Sequence, residues 1–109
     1  MRADHTDAPA EREYGTVYVA FELSKSKWQL GMMMPGAEKM SRYRIDGGDV
    51  AALSSLLARA RAKAAQLGKP VRVLSCYEAG LDGHWLHRWL SDNAIVNYEI
   101  DASDRKSVV

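Results

Sequence analysis

Two glutamates stand in positions where a carboxylate calls for an explanation. Glu22 lies in Thr16–Leu23, T-V-Y-V-A-F-E-L, where Val17, Val19, Phe21 and Leu23 fall on one face and Tyr18 and Ala20 join Glu22 on the other. Apolar residues on both sides predict a central strand buried on both faces. A carboxylate near its end is costly unless a cation, a metal or hydrogen-bond donors meet it. Glu78 follows a second apolar run, Val71 to Cys76, and precedes Ala79-Gly80 and a stretch in which Leu81, Trp85, Leu86, Trp89 and Leu90 recur at helical spacing. That sets Glu78 at the carboxyl end of a strand, where open α/β sheets tend to place ligands. Carboxylates converging from two strand ends can hold a divalent metal ion. A pair of such ions about 3.5–4 Å apart can activate the attacking oxygen and stabilise the leaving one in phosphodiester chemistry. The bland alternative is a salt bridge from Glu22 to Lys25 or Arg72, and a full metal site of this kind usually needs three or four acids.

The other reactive side chains have simpler readings. Cys76 is the one cysteine, which excludes an intramolecular disulfide, and its place in an apolar strand predicts an inert buried thiol. His84 and His87 stand at i, i+3 beside Arg88 on the outward face of the second helix, with no thiol or carboxylate at matching spacing to complete a zinc site. His5 is read as solvated. Trp85, Trp89 and Met32-Met33-Met34 read as core rather than as a stacking platform for bases. Ser24 and Ser26 suit a tight turn, with phosphate binding as the alternative. Arg42 and Arg44 read as a solvated edge that discourages edge pairing, with phosphate contact as the alternative. Arg59, Arg61 and Lys63 suit the end of a helix dipole, with a nucleic-acid patch as the alternative. There is no Gly-rich nucleotide loop, no Ser-His-Asp constellation and no zinc finger.

The elements that would carry these residues follow in order. Lys27 to Met34 turns Trp28, Leu30, Met32 and Met34 inward, Pro35-Gly36 makes a turn, and Lys39 to Ile45 returns as a half-exposed strand. After Gly47-Gly48, Asp49 offers a cap for a helix whose apolar stripe is Val50, Leu53, Leu57, Ala60, Ala64 and Leu67, ending at Gly68. The second helix is expected to start near Asp82 and stop near Asp92-Asn93, with Asn93 left-handed. Ile95 to Ile100 is a last strand. The order β-β-β-α-β-α-β predicts an α/β protein with a mixed sheet, an antiparallel meander plus parallel strands with helices packed on it, as in ribonuclease H-like domains. The chain of 109 residues is long enough for one core and too short for two. The division expected is a flexible tail at 1–14, a domain at 15–103 and an irregular end at 104–109. A net charge of +1 leaves any nucleic-acid contact to local patches. The polar opening segment and the absence of a run of about 20 apolar residues predict a cytoplasmic protein without a membrane span.

Three blocks carry a resemblance. Y-V-A-F-E-L-S-K-S-K-W at Tyr18 to Trp28, C-Y-E-A-G-L-D-G-H-W-L-H-R-W-L at Cys76 to Leu90, and N-Y-E-I-D-A-S at Asn97 to Ser103 resemble the amino-terminal domain of the DEDD transposases of bridge-RNA-guided bacterial insertion sequences. The resemblance implies a domain similar to Holliday-junction resolvases, holding Mg²⁺ with four acids and working with a serine in a separate carboxyl-terminal domain. It also implies a homo-oligomer acting on DNA with a guide RNA. By matching motifs, Glu22, where many members carry Asp, and Glu78 are the first two acids, catalytic and metal-binding. The family's D-P-A-S block is followed by a basic stretch and K-T-D-x-x-D with the last two acids, whereas here D-A-S runs into D-R-K-S-V-V. Asp101 matches the D of that block and Asp104 has no counterpart. The expectation is therefore a truncated transposase domain, inactive alone. The alternatives are a non-catalytic nucleic-acid-binding or oligomerisation module on the same fold, and a small nuclease using Asp101 as third acid.

Overall fold

In the computed structural model, residues 14–78 and 83–100 are described. Alternation of apolar residues at period two makes five strands, β1 (Gly15–Leu23), β2 (Lys27–Met33), β3 (Ser41–Asp46), β4 (Val71–Glu78) and β5 (Ile95–Ile100). Among the described residues, period 3.6 makes two helices, α1 (Val50–Ala65) and α2 (Gly83–Asp92). The strands lie in the order β3-β2-β1-β4-β5. The β1–β2 and β2–β3 pairs are antiparallel, and β4 runs parallel to both β1 and β5. This is the mixed sheet and element order expected of a ribonuclease H-like fold. β4 runs two residues further than the apolar pattern indicates, so Glu78 closes the strand itself.

One core joins sheet and helices. Val17, Val19 and Phe21 of β1, Trp28, Leu30 and Met32 of β2, Val73 and Tyr77 of β4 and Ile95 of β5 pack with Leu53, Leu56, Leu57, Ala60 and Ala64 of α1 and Leu86 and Leu90 of α2. Each fully buried leucine among them contributes about 1.5–3 kcal/mol. The alternate residues face away from the helices, and Tyr18, Val96 and Tyr98 remain 42%, 50% and 58% exposed. β1 is thus central in the sheet but covered on one face only among the described residues, which corrects the expectation of burial on both. The helical stripe also shifts at its end: Leu56 is buried, whereas Leu67, past the last helical turn, is exposed.

Local chemistry fixes the joints. The Asp49 carboxylate accepts from the Ala52 N–H at 3.0 Å and caps α1. At the end of α2 the left-handed residue is Ala94, with φ 64°, rather than Asn93. Asn93 stays right-handed because its own side chain donates to the Trp89 carbonyl at 2.8 Å, while its carbonyl accepts from Arg61 of α1 at 2.7 Å. Arg61 therefore closes the negative end of the neighbouring helix rather than its own. Gly47 donates its N–H to the Ser26 carbonyl, and a Cβ there would stand 2.6 Å from the Lys25 carbonyl oxygen. Gly47→Ala is expected to cost about 1–2 kcal/mol, read as a fall in the urea midpoint at unchanged slope. No described helix is long and apolar enough to cross a membrane.

Candidate functional site

The parallel register of β1 and β4 decides where the two glutamates stand. The last paired residues are Ala20 with Cys76 and Phe21 with Tyr77, so the next row sets Glu22 beside Glu78. Phe21 and Tyr77 turn into the core, and by the two-residue period both glutamates turn to the opposite face, which carries no helix among the described residues. Neighbouring strands are about 4.8 Å apart, close enough for two carboxylates to share one cation. On the same row Glu22 pairs with Gln29 of β2, which pairs with Arg44 of β3, and Glu78 pairs with Ile100 of β5. Glu22 also lines a shallow cavity of about 140 Å³ with Gln29, Gly31, Met40 and Arg42.

Both glutamates are exposed. The expected burial of Glu22 is thus wrong, because the face it points to carries no covering helix among the described residues. Neither bland partner meets it: Arg72 sits at the far end of β4, over the Tyr14 ring at 4.9 Å and 3.4 Å from the Thr16 hydroxyl, and no described ion pair joins Glu22 to Lys25.

The strand ends are held from beneath by aromatic rings. Phe21 meets Trp28 and Tyr77 edge-to-face, each at 6.5 Å between centroids, and Trp28 meets Trp85 of α2 at 5.7 Å. Beside them lies a polar network absent from the sequence expectations. The Ser75 hydroxyl donates to Asn97 Oδ1 at 2.7 Å, Asn97 Nδ2 lies 3.0 Å from His87 Nδ1, and the Tyr77 hydroxyl donates to Glu99 Oε2 at 2.7 Å. Its only sequence signal was polar residues at inward positions of two strands. His87 is therefore half-buried and partnered rather than on a solvated face. The Cys76 thiol is half-buried on the open face, not sealed in the core, and lines an apolar groove of about 260 Å³ with Tyr18, Met40, Leu74 and Tyr98. Trp85 and Trp89 pack against the core, as expected. Ser24 donates to the Lys27 carbonyl and accepts from the Lys27 N–H, the turn role expected of it. His5, Leu81, Asp82, Asp101, Asp104 and the side chain of His84 lie outside the described residues.

Burial, and then the hydrogen bond to Glu99 and its charge, pushes the Tyr77 phenol far above the ordinary tyrosine range. The unfolded chain releases that proton near pH 10 while the folded chain keeps it, so stability present below about pH 10 declines as pH rises, by up to about 1.4 kcal/mol per unit. Urea unfolding between about pH 8 and 11 is expected to show this decline, and Tyr77→Phe to remove its part of the slope.

Among the described residues no group of three or more His, Cys, Asp or Glu side chains is placed to hold a metal ion. The two exposed carboxylates nevertheless suit a hard cation such as Mg²⁺, which keeps several waters and binds through one or two carboxylates together with substrate phosphates.

No family model matches the chain. Over 91 residues, 82% of its length, it is 37% identical to "Putative transposase y4rJ" of Sinorhizobium fredii (strain NBRC 101917 / NGR234). The likeness is to a transposase. The chain spans 23% of that relative's length. Two solved structures are similar in outline: a foamy viral protease-reverse transcriptase in complex with dsDNA, at 13% identity and TM-score 0.42 over 81% of this chain and 24% of that one, and the Thermoplasma acidophilum Pelota protein, at 15% and 0.37 over 94% and 34%. With TM-scores below 0.5, neither bears on the site.

Proposed function

We propose that this chain is a catalytic-domain portion of a DNA transposase, in which Glu22 and Glu78 supply two of the carboxylates that hold Mg²⁺ for strand cleavage and transfer. The observation that carries the reading is their placement: adjacent strands, one face, and the row just beyond the Phe21–Tyr77 pair. The transposase relative supports the same class of chemistry. When bound, the cation supplies Lewis-acid stabilisation of phosphodiester oxygens. The glutamates hold it, and the rigid strand ends fix the spacing between them. The parent protein is of the bridge-RNA-guided DEDD kind, cytoplasmic, and works as a homo-oligomer on DNA with a guide RNA. The remaining acids and the serine come from polypeptide beyond this domain, which occupies residues 15–103.

Two carboxylates alone hold Mg²⁺ weakly, so the 109-residue chain is expected to leave supercoiled DNA uncut in Mg²⁺ or Mn²⁺. Nicking or strand transfer by the purified chain that is lost in Glu78→Gln would overturn its inactivity alone. The exposure of both glutamates and the lack of a third described ligand favour one other reading, a non-catalytic nucleic-acid-binding or assembly module. That module would bind or self-associate equally well after Glu22→Gln and Glu78→Gln and show no metal response at either position.

A further inference from the structure

We propose that Arg42 and Arg44 of β3 form a phosphate-binding strip that lays a nucleic-acid backbone across the open sheet face towards Glu22 and Glu78. The inference rests on the nucleic-acid-processing role proposed above and adds the contact that positions the strand.

Register places the strip. Arg44, Gln29 and Glu22 lie on one row across β3, β2 and β1, and Arg42, Gly31 and Ala20 lie on the row beside it. Two strand spacings put the Arg44 backbone about 10 Å from that of Glu22, a gap that one extended guanidinium and one phosphate can fill. Arg42 and Glu22 line the same 140 Å³ cavity, and the Met40 thioether packs over Gly31 between them.

These two are the arginines of the described strands that are not committed to another partner. Lys27, on the same face, is neutralised by Asp46 at 2.5 Å, Arg61 is spent on the Asn93 carbonyl, and Arg72 lies over Tyr14. Arg42 and Arg44 are exposed, and among the described residues neither has a carboxylate or carbonyl acceptor. A planar guanidinium accepts a phosphate through two parallel N–H bonds, which lysine cannot reproduce. Arginines that serve only to guard a sheet edge need positive charge and nothing more, so Arg→Lys separates the two roles.

The test is fluorescence anisotropy of the whole 109-residue chain with a labelled single-stranded DNA, its duplex and the RNA of the same sequence, in EDTA, from about 50 to 200 mM salt. Arg42→Ala and Arg44→Ala are each expected to reduce the slope of log affinity against log salt by about 0.7 on single strands or 0.9 on duplex DNA, and the double variant by about twice that. The ordering of the three probes identifies the nucleic acid. Arg→Lys is expected to weaken binding while keeping most of the slope, and Arg59→Ala, on α1, to leave both unchanged. No binding by the parent chain, an unchanged slope in the double variant, or an equal loss in Arg59→Ala would overturn the strip. Because no divalent ion is present, such a failure leaves the carboxylate reading standing, and a failed metal titration leaves the strip standing.

Discussion

Trp28→Ala is expected to lower the melting temperature by at least about 12 °C, the largest effect of any single substitution considered. Trp28 is fully buried and meets Phe21 on one side and Trp85 on the other. Its loss removes the ring that ties β2 to β1 and the sheet to α2. Truncating a buried tryptophan costs about 3–5 kcal/mol, against a total of about 5–15 for a domain, and each kcal/mol is worth about 4–8 °C at this size. The indole N–H of Trp28 is buried without a hydrogen-bond partner among the described residues, so ring volume is what is at stake. Trp28→Phe is therefore expected to lose much less than Trp28→Ala. Differential scanning calorimetry of the two variants checks both statements, and equal losses would show that the N–H has a partner after all.

Asn97→Leu is expected to cost about 3 kcal/mol although it makes the side chain more apolar. Asn97 accepts from Ser75 and stands within bonding distance of His87. Ser75 is 3% exposed, so its hydroxyl is left unpaired in the core when Asn97 goes. A buried polar group without a partner costs about 1–3 kcal/mol, and the second broken contact, to α2, puts the loss at the upper end. Replacing Ser75 as well, in Ser75→Ala/Asn97→Leu, is expected to recover part of the stability. Chemical denaturation of the single and double variants reads this as a coupling energy of opposite sign to the losses.

Much of this architecture was legible in the sequence because one periodicity rules each segment. The inward alternation of Trp28, Leu30 and Met32 and the stripe of Leu53, Leu57, Ala60 and Ala64 leave few alternatives for β2 and α1. The cap at Asp49 followed from its place after two glycines. Glu22 and Glu78 could be singled out because a carboxylate interrupts or closes an apolar run. Their environment could not be read the same way. Tyr18, Leu74, Val96 and Tyr98 look like core in composition yet form a face left uncovered by the described residues, since a letter pattern shows that a strand has two apolar sides but not whether anything packs on both. The network of Ser75, Asn97 and His87 was missed for a related reason. It joins residues far apart in the chain through a helix-to-sheet contact, and a histidine at helical spacing gives no local sign of the strand residue it will meet.

The proposed chemistry requires Glu22 and Glu78 to act together on a cation. Titration of the isotopically labelled chain with Mn²⁺, followed by NMR, tests this most directly, because paramagnetic broadening falls off steeply with distance. The expected result is broadening centred on residues 21–23 and 77–78, displaced by excess Mg²⁺, and weakened at least about tenfold in affinity by either Glu22→Gln or Glu78→Gln. Broadening centred elsewhere, or broadening there that survives both substitutions, would contradict it.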